Sequence, residues 1–264
     1  MADYQNPPGR YGSSAPAEAA AGEIDEGLRA HMLLVYNYMM IGLAMTGLFA
    51  VGTFMLTTSG DPVVTSQGVL QVGESLYLTS LGATLYGSAL KWVVMLAPLG
   101  LVFFLSFRIQ KMSVNSAQTT FWIFASLVGV SLSSIFIVYD IGSIAQVFFI
   151  TAATFGAMSL WGYTTKRDLT GMGSFLFMGL IGLILAMIVN IFLQSSAMEF
   201  IISIIGVLIF TGLTAYDTQK IKEMYYANDD GTVAGRKAIM GALRLYLDFI
   251  NIFLMLLRLL GNRN

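Results

Sequence analysis

Seven apolar runs stand out along the chain, each close to the ~20 residues needed to cross a bilayer, with short polar breaks between them. They predict spans near residues 32–57, 90–107, 116–139, 141–163, 172–194, 197–219 and 239–260. Only Tyr139, Asp140 and Ile141 join the third span to the fourth, a very tight turn. The longest connection, 58–89, carries turn signals (GDP, GES) and then LYLTSLGATLYGSAL. That stretch reads either as an interfacial or re-entrant helix or as the start of the second span. The first 30 residues are small, polar and acidic, without the basic start and apolar core of a signal peptide. They read as a disordered cytoplasmic tail (1–30), leaving 31–264 as the transmembrane domain.

Composition supports a membrane setting. Of 264 residues, 56% are hydrophobic and 11% charged, and mean hydropathy is +0.73. Soluble domains carry roughly 25% charged residues, so most of this outer surface must meet lipid. A net charge of −1 gives no electrostatic footprint for nucleic acid. The absence of cysteine excludes disulfides and zinc–thiolate sites. The single histidine, His31, reads as an interfacial residue just before the first span.

The basic residues set an orientation. Ten of the fourteen fall in the N-terminal tail and in the connections after the second, fourth and sixth spans. This alternation is what the positive-inside rule predicts for seven spans with a cytoplasmic N-terminus. Small residues inside the spans (Gly42, Gly47, Gly156, Gly182, Gly206 and Gly212) fit close helix packing.

Ionisable side chains within spans are functional candidates, because each costs ~2.5–3.5 kcal/mol at mid-helix on insertion scales. Three qualify: Asp217 near the end of the sixth span, Asp248 within the seventh, and Arg244 one turn before it. Asp140 and Glu199 lie at span ends within reach of water. On the seventh span Arg244, Asp248, Asn251, Met255 and Arg258 share one face. Ser203, Gly206, Thr214 and Asp217 form a similar stripe on the sixth, broken by Phe210. Two such stripes are expected to face each other or a water-filled cavity. Paired carboxyl groups in a low dielectric titrate as one unit. They can share a proton, hold a divalent cation through hard oxygens, or catalyse hydrolysis. The plainer reading is that Asp217 caps its helix beside Lys220 while Asp248 pairs with Arg244 at i,i+4.

The runs GLTAYDTQKIK (212–222) and LYLDFINIFLMLLRLLGNR (245–263) resemble the signature of the Bax inhibitor-1 family. LSSIFIVY (132–139) and FGAMSLWGYTTKRDLTG (155–171) resemble its bacterial inner-membrane branch. The resemblance implies an all-α membrane protein, a seven-transmembrane-helix bundle with the seventh helix central. It implies a pH-sensitive calcium leak, with no cofactor beyond Ca²⁺ as the permeant ion. Asp217 and Asp248 would then be the proton-sensing pair and the hard ligands for the metal. An arginine after the second span would latch the closed state, and Arg108 is its best match; Arg244 is the rival cation. Some bacterial relatives restrain a membrane-anchored ATP-dependent protease, so a regulatory protein binding such a partner is the alternative to a leak.

An enzyme is not expected. Intramembrane aspartyl proteases need GxGD at the second aspartate, where this chain reads LYLD, and the lone histidine leaves no Ser/His pair. The seventh span also lacks a mid-helix lysine for retinal.

Overall fold

The computed structural model of the protein describes residues 15–73 and 75–264, with side chains from residue 26 onward. The chain enters α1 (Ala15–Thr57), passes through short strands, and runs on through α2 (Ser80–Gly87), α3 (Leu90–Arg108) and α4 (Val114–Leu132). There follow a one-turn α5 (Ile135–Val138), α6 (Ile141–Thr164), α7 (Thr170–Leu193), α8 (Ser196–Glu223) and α9 (Gly231–Leu260). Among the described residues seven segments are long and apolar enough to cross a membrane, and each overlaps one of the seven predicted spans.

The polar breaks end these helices by supplying backbone partners. Ser113, Asp140, Ser195 and Asp230 each accept hydrogen bonds from the first turn of α4, α6, α8 and α9 respectively. Gln194 terminates α7 in the left-handed region at φ 48°. The Asp230 cap explains why α9 starts at 231 rather than 239. The turns after it, GTVAGRKA, are too polar to register as a span but are fully helical.

The tail expected over 1–30 lies in part outside the described residues, at 1–14, while 15–30 is continuous with α1. His31 is therefore inside α1, and it is buried, its ring 5.8 Å from that of Tyr225. The polar residues preceding it made the helix start look later than it is. Loop 58–79 forms small antiparallel pairings, β1 (Thr58–Ser59) and β4 (Gln71–Gly73) on β5 (Leu76–Leu78), and β2 (Val64–Thr65) on β3 (Gly68–Val69). The ambiguous LYLTSLGATLYGSAL becomes β5, then α2, then the start of α3. Two hydrogen bonds tie α2 back to its surroundings: Tyr86 Oη lies 2.7 Å from Ser133 Oγ, and Thr79 Oγ1 donates to Leu56 O.

α9 is the most buried span, packed against α1, α4, α6 and α8, while α3 leans on α4 and α7 on α8. The loops after α3, α6 and α8 gather at one end. Lys222 Nζ donates to Tyr163 O at 2.8 Å, Gln219 Nε2 to Arg167 O at 2.8 Å, and Arg236 Nη1 to Gln110 O at 2.6 Å.

Glycines set two of the closest crossings. A Cβ on Gly162 would sit 2.2 Å from Ala215 O, and one on Gly129 would sit 2.4 Å from Thr46 O. Gly42, Gly206 and Gly212 also meet neighbours, but Gly47, Gly156 and Gly182 face open space. Spacing alone could not separate these groups, because both lie on apolar faces. Gly162→Val should force α6 off the α8 backbone and lower stability by ~1–3 kcal/mol. Thermal unfolding in detergent checks this, with Gly156→Ala expected to stay within about 0.5 kcal/mol of the parent.

Candidate functional site

α8 and α9 are antiparallel neighbours joined by a short connection, so residues near the end of one face residues well inside the other. Their small and polar stripes meet at two levels. A Cβ on Gly206 would lie 2.9 Å from Met255 Sδ, and closer to the basic loops Asp217 approaches Asp248. Both aspartates are buried, at 7% and 4% exposure. Their carboxyl groups lie within hydrogen-bonding reach of each other. Ionised carboxylates only accept hydrogen bonds, so a direct hydrogen bond between the two needs a proton on one of them. Among the described residues the buried Oδ2 of Asp248 has no hydrogen-bond partner.

Arg244 resolves differently from the i,i+4 expectation. Its Nη1 lies 3.7 Å from Asp217 Oδ1, across the helix interface, and it makes no ion pair with Asp248 among the described residues. The reason is directional. Helical side chains lean toward the helix N-terminus, which for α9 is the basic end. A long arginine one turn below Asp248 carries its head further that way, toward water. The Arg244 side chain is 43% exposed, so this pair is a weak tether rather than a buried bridge. Lys220, expected beside Asp217, instead pairs with Glu223 at 2.7 Å and donates to Thr170 Oγ1 at 2.9 Å.

Arg108 is exposed at the end of α3, with no carboxylate partner among the described residues. The structure thus brings Asp217, Asp248 and Arg244 together and leaves Arg108 apart. As a metal site the pair is sparse. Ca²⁺ takes 6–8 oxygens, and no cluster of three or more His, Cys, Asp or Glu occurs among the described residues.

Two supports went unread in the sequence. Tyr246, two residues before Asp248, is fully buried with its hydroxyl 2.6 Å from Thr46 Oγ1 and its ring edge-on to Phe121 and Phe124. It fixes the rotation of α9 against α1 and α4. Next to Asp217, Thr218 Oγ1 lies 2.9 Å from Ser159 Oγ, which in turn lies 2.7 Å from Tyr36 Oη. This hydroxyl chain ties α8 to α6 and α1. The tyrosine of LYLD was the available signal for the first; the second joins residues too distant in sequence to be seen as a set.

Beyond Asp248, toward the opposite end, the buried face of α9 is apolar: Phe249, Ile252, Phe253, Met255, Leu256 and Leu257. The buried carboxyl groups lie in the half nearer the basic loops, whereas the opposite half buries hydroxyls such as Ser143, Thr151 and Ser203.

The family model for the inhibitor of apoptosis-promoting Bax1 matches residues 28–264, nearly the whole chain. The chain belongs to the Bax inhibitor-1 family. Among its relatives is the inner membrane protein YbhL of Escherichia coli K12, 45% identical over 239 residues, covering 90% of this chain and 93% of that protein. An uncharacterised protein of Rickettsia prowazekii is 46% identical over 239 residues, 90% of this chain and 92% of its own. One from Caulobacter vibrioides is 43% identical over 258 residues, 95% and 96% of the two chains. Seven apolar spans and these relatives make it a multi-pass membrane protein of this family.

If the carboxyl–carboxyl contact holds α8 to α9, the substitutions should rank by hydrogen-bonding capacity. Asp248→Asn can still donate to Asp217 and should unfold close to the parent. Asp248→Leu leaves Asp217 without its partner and should lose ~1–3 kcal/mol. Thermal unfolding of both variants in one detergent checks the order.

Proposed function

We propose that the chain is a pH-sensitive leak for calcium or similar cations in the bacterial inner membrane, acting without catalysis, and that the Asp217–Asp248 pair gates it. The observation that carries this reading is the pair itself: two carboxyl groups in contact, buried between the two helices that pack most extensively on each other. With the proton present the pair braces α8 against α9. Its loss leaves two like charges in a low-dielectric setting, where repulsion is strong. Arg244, 3.7 Å from Asp217, can answer one of them. Asp248 has no such partner among the described residues and draws a cation instead, since metal ions bind the ionised carboxylate.

The apolar face of α9 from Phe249 to Leu257 then has to shift for an ion to pass. A bias of ~1–3 kcal/mol between two packings changes the open population by about five- to 150-fold. The charge alternation supports a cytoplasmic N-terminus and cytoplasmic basic loops.

Calcium flux into proteoliposomes, followed with an entrapped dye across a range of pH, tests the reading. The parent should show pH-dependent flux. Asp217→Asn and Asp248→Asn should each flatten that dependence, because a coupled pair titrates as a unit. Absence of calcium flux in the parent, or an unchanged profile in both variants, would sink it.

A further inference from the structure

A second site lies between α3, the turn after it, and the first half of α9. There a cavity of about 520 Å³ opens at the basic end. Its polar lining comes from Ser106, Gln110, Arg236, Lys237 and Arg244, and no carboxylate lines it. Two of the cations are partly answered by acids outside the cavity, Lys237 by Asp229 and Arg244 by Asp217. Arg236 is not. Its Nη1 donates to the neutral carbonyl of Gln110, and among the described residues it has no carboxylate partner and its buried Nε–H has no acceptor. A buried donor without a partner is costly, and an arginine carries its charge at every accessible pH. The Nε–H is itself sealed from solvent, so what Arg236 offers the cavity is a positive charge that no carboxylate answers among the described residues. Apolar side chains, Met240 among them, complete the wall.

We propose that this cavity binds a phosphate-bearing anion, with Arg236 as its principal ligand and Lys237 and Arg244 as flanking charges. The guanidinium fork matches phosphate oxygens bidentately. Basic pockets between transmembrane helices at the membrane surface are where lipid phosphates seat. The same chemistry would take a free phosphate. Binding stands independently of the leak reading; one consequence rests on it. Three cations at the mouth of the bundle repel a permeating cation, and a bound anion would cancel that field and compete with Asp217 for Arg244.

The test uses the full chain, delipidated in a neutral detergent. Inorganic phosphate is titrated by calorimetry, with chloride at matched ionic strength as reference. In parallel, the protein in nanodiscs of phosphatidylcholine with phosphatidylglycerol is examined by native mass spectrometry for retained lipid. A lipid headgroup site should retain phosphatidylglycerol over phosphatidylcholine, and a free-anion site should bind phosphate without that preference. In either case Arg236→Gln should weaken binding at least about ten-fold. Lys166→Gln, an exposed cation in the loop between α6 and α7, should leave it unchanged. Ser106→Glu places a carboxylate in the cavity while leaving Arg236 intact, and should also abolish binding, which covers the case of an Arg236 variant that fails to fold. No binding of either probe by the parent, or binding that survives both cavity variants, would overturn the proposal.

Discussion

Two carboxyl groups meeting in the interior of a lipid-embedded bundle are the constraint around which the rest is arranged. Neither Asp217 nor Asp248 can be moved into lipid at acceptable cost, so α8 and α9 must keep them facing inward and level with each other. That condition fixes the rotation of both helices. Tyr246 and Thr46 hold α9 from one side, and the Thr218–Ser159–Tyr36 hydroxyl chain holds α8 from the other. Close glycine crossings at Gly162 and Gly129 let the flanking helices approach near enough to exclude lipid from this layer.

The bundle is also asymmetric along its axis. Its buried carboxyl groups lie toward the basic loops, and in its other half aromatic side chains of α9 pack on Phe148 and Phe155. The aspartate pair and Arg244 therefore sit toward one end of the buried face of α9, and its apolar side chains toward the other. The cationic cavity opens toward the same end, and Arg244 belongs both to its lining and to the aspartate pair's surroundings.

Much of this was legible in the sequence, for physical reasons that differ by feature. The seven spans were visible because lipid demands long uninterrupted apolar runs, and the stripes on the sixth and seventh spans because a helix places every third or fourth residue on one face. The early start of α9 was hidden, since hydropathy measures membrane depth and not helicity. Arg244 misled because a one-dimensional i,i+4 rule cannot see a partner on the neighbouring helix. The Arg236 site was invisible altogether: its cavity is made by α3 and α9, separated by more than a hundred residues, and its diagnostic feature is a set of cations with no carboxylate in the lining.

The central claim is that Asp217 and Asp248 hold one proton between them, and infrared spectroscopy of the carboxyl stretch tests it most directly. In the reconstituted protein, titrated in light and heavy water, the account predicts a single protonated-carboxyl band that disappears in Asp217→Asn and in Asp248→Asn alike. A band that survives either substitution, or two bands that titrate independently, would show that the carboxyl groups do not act as one unit and would contradict the account.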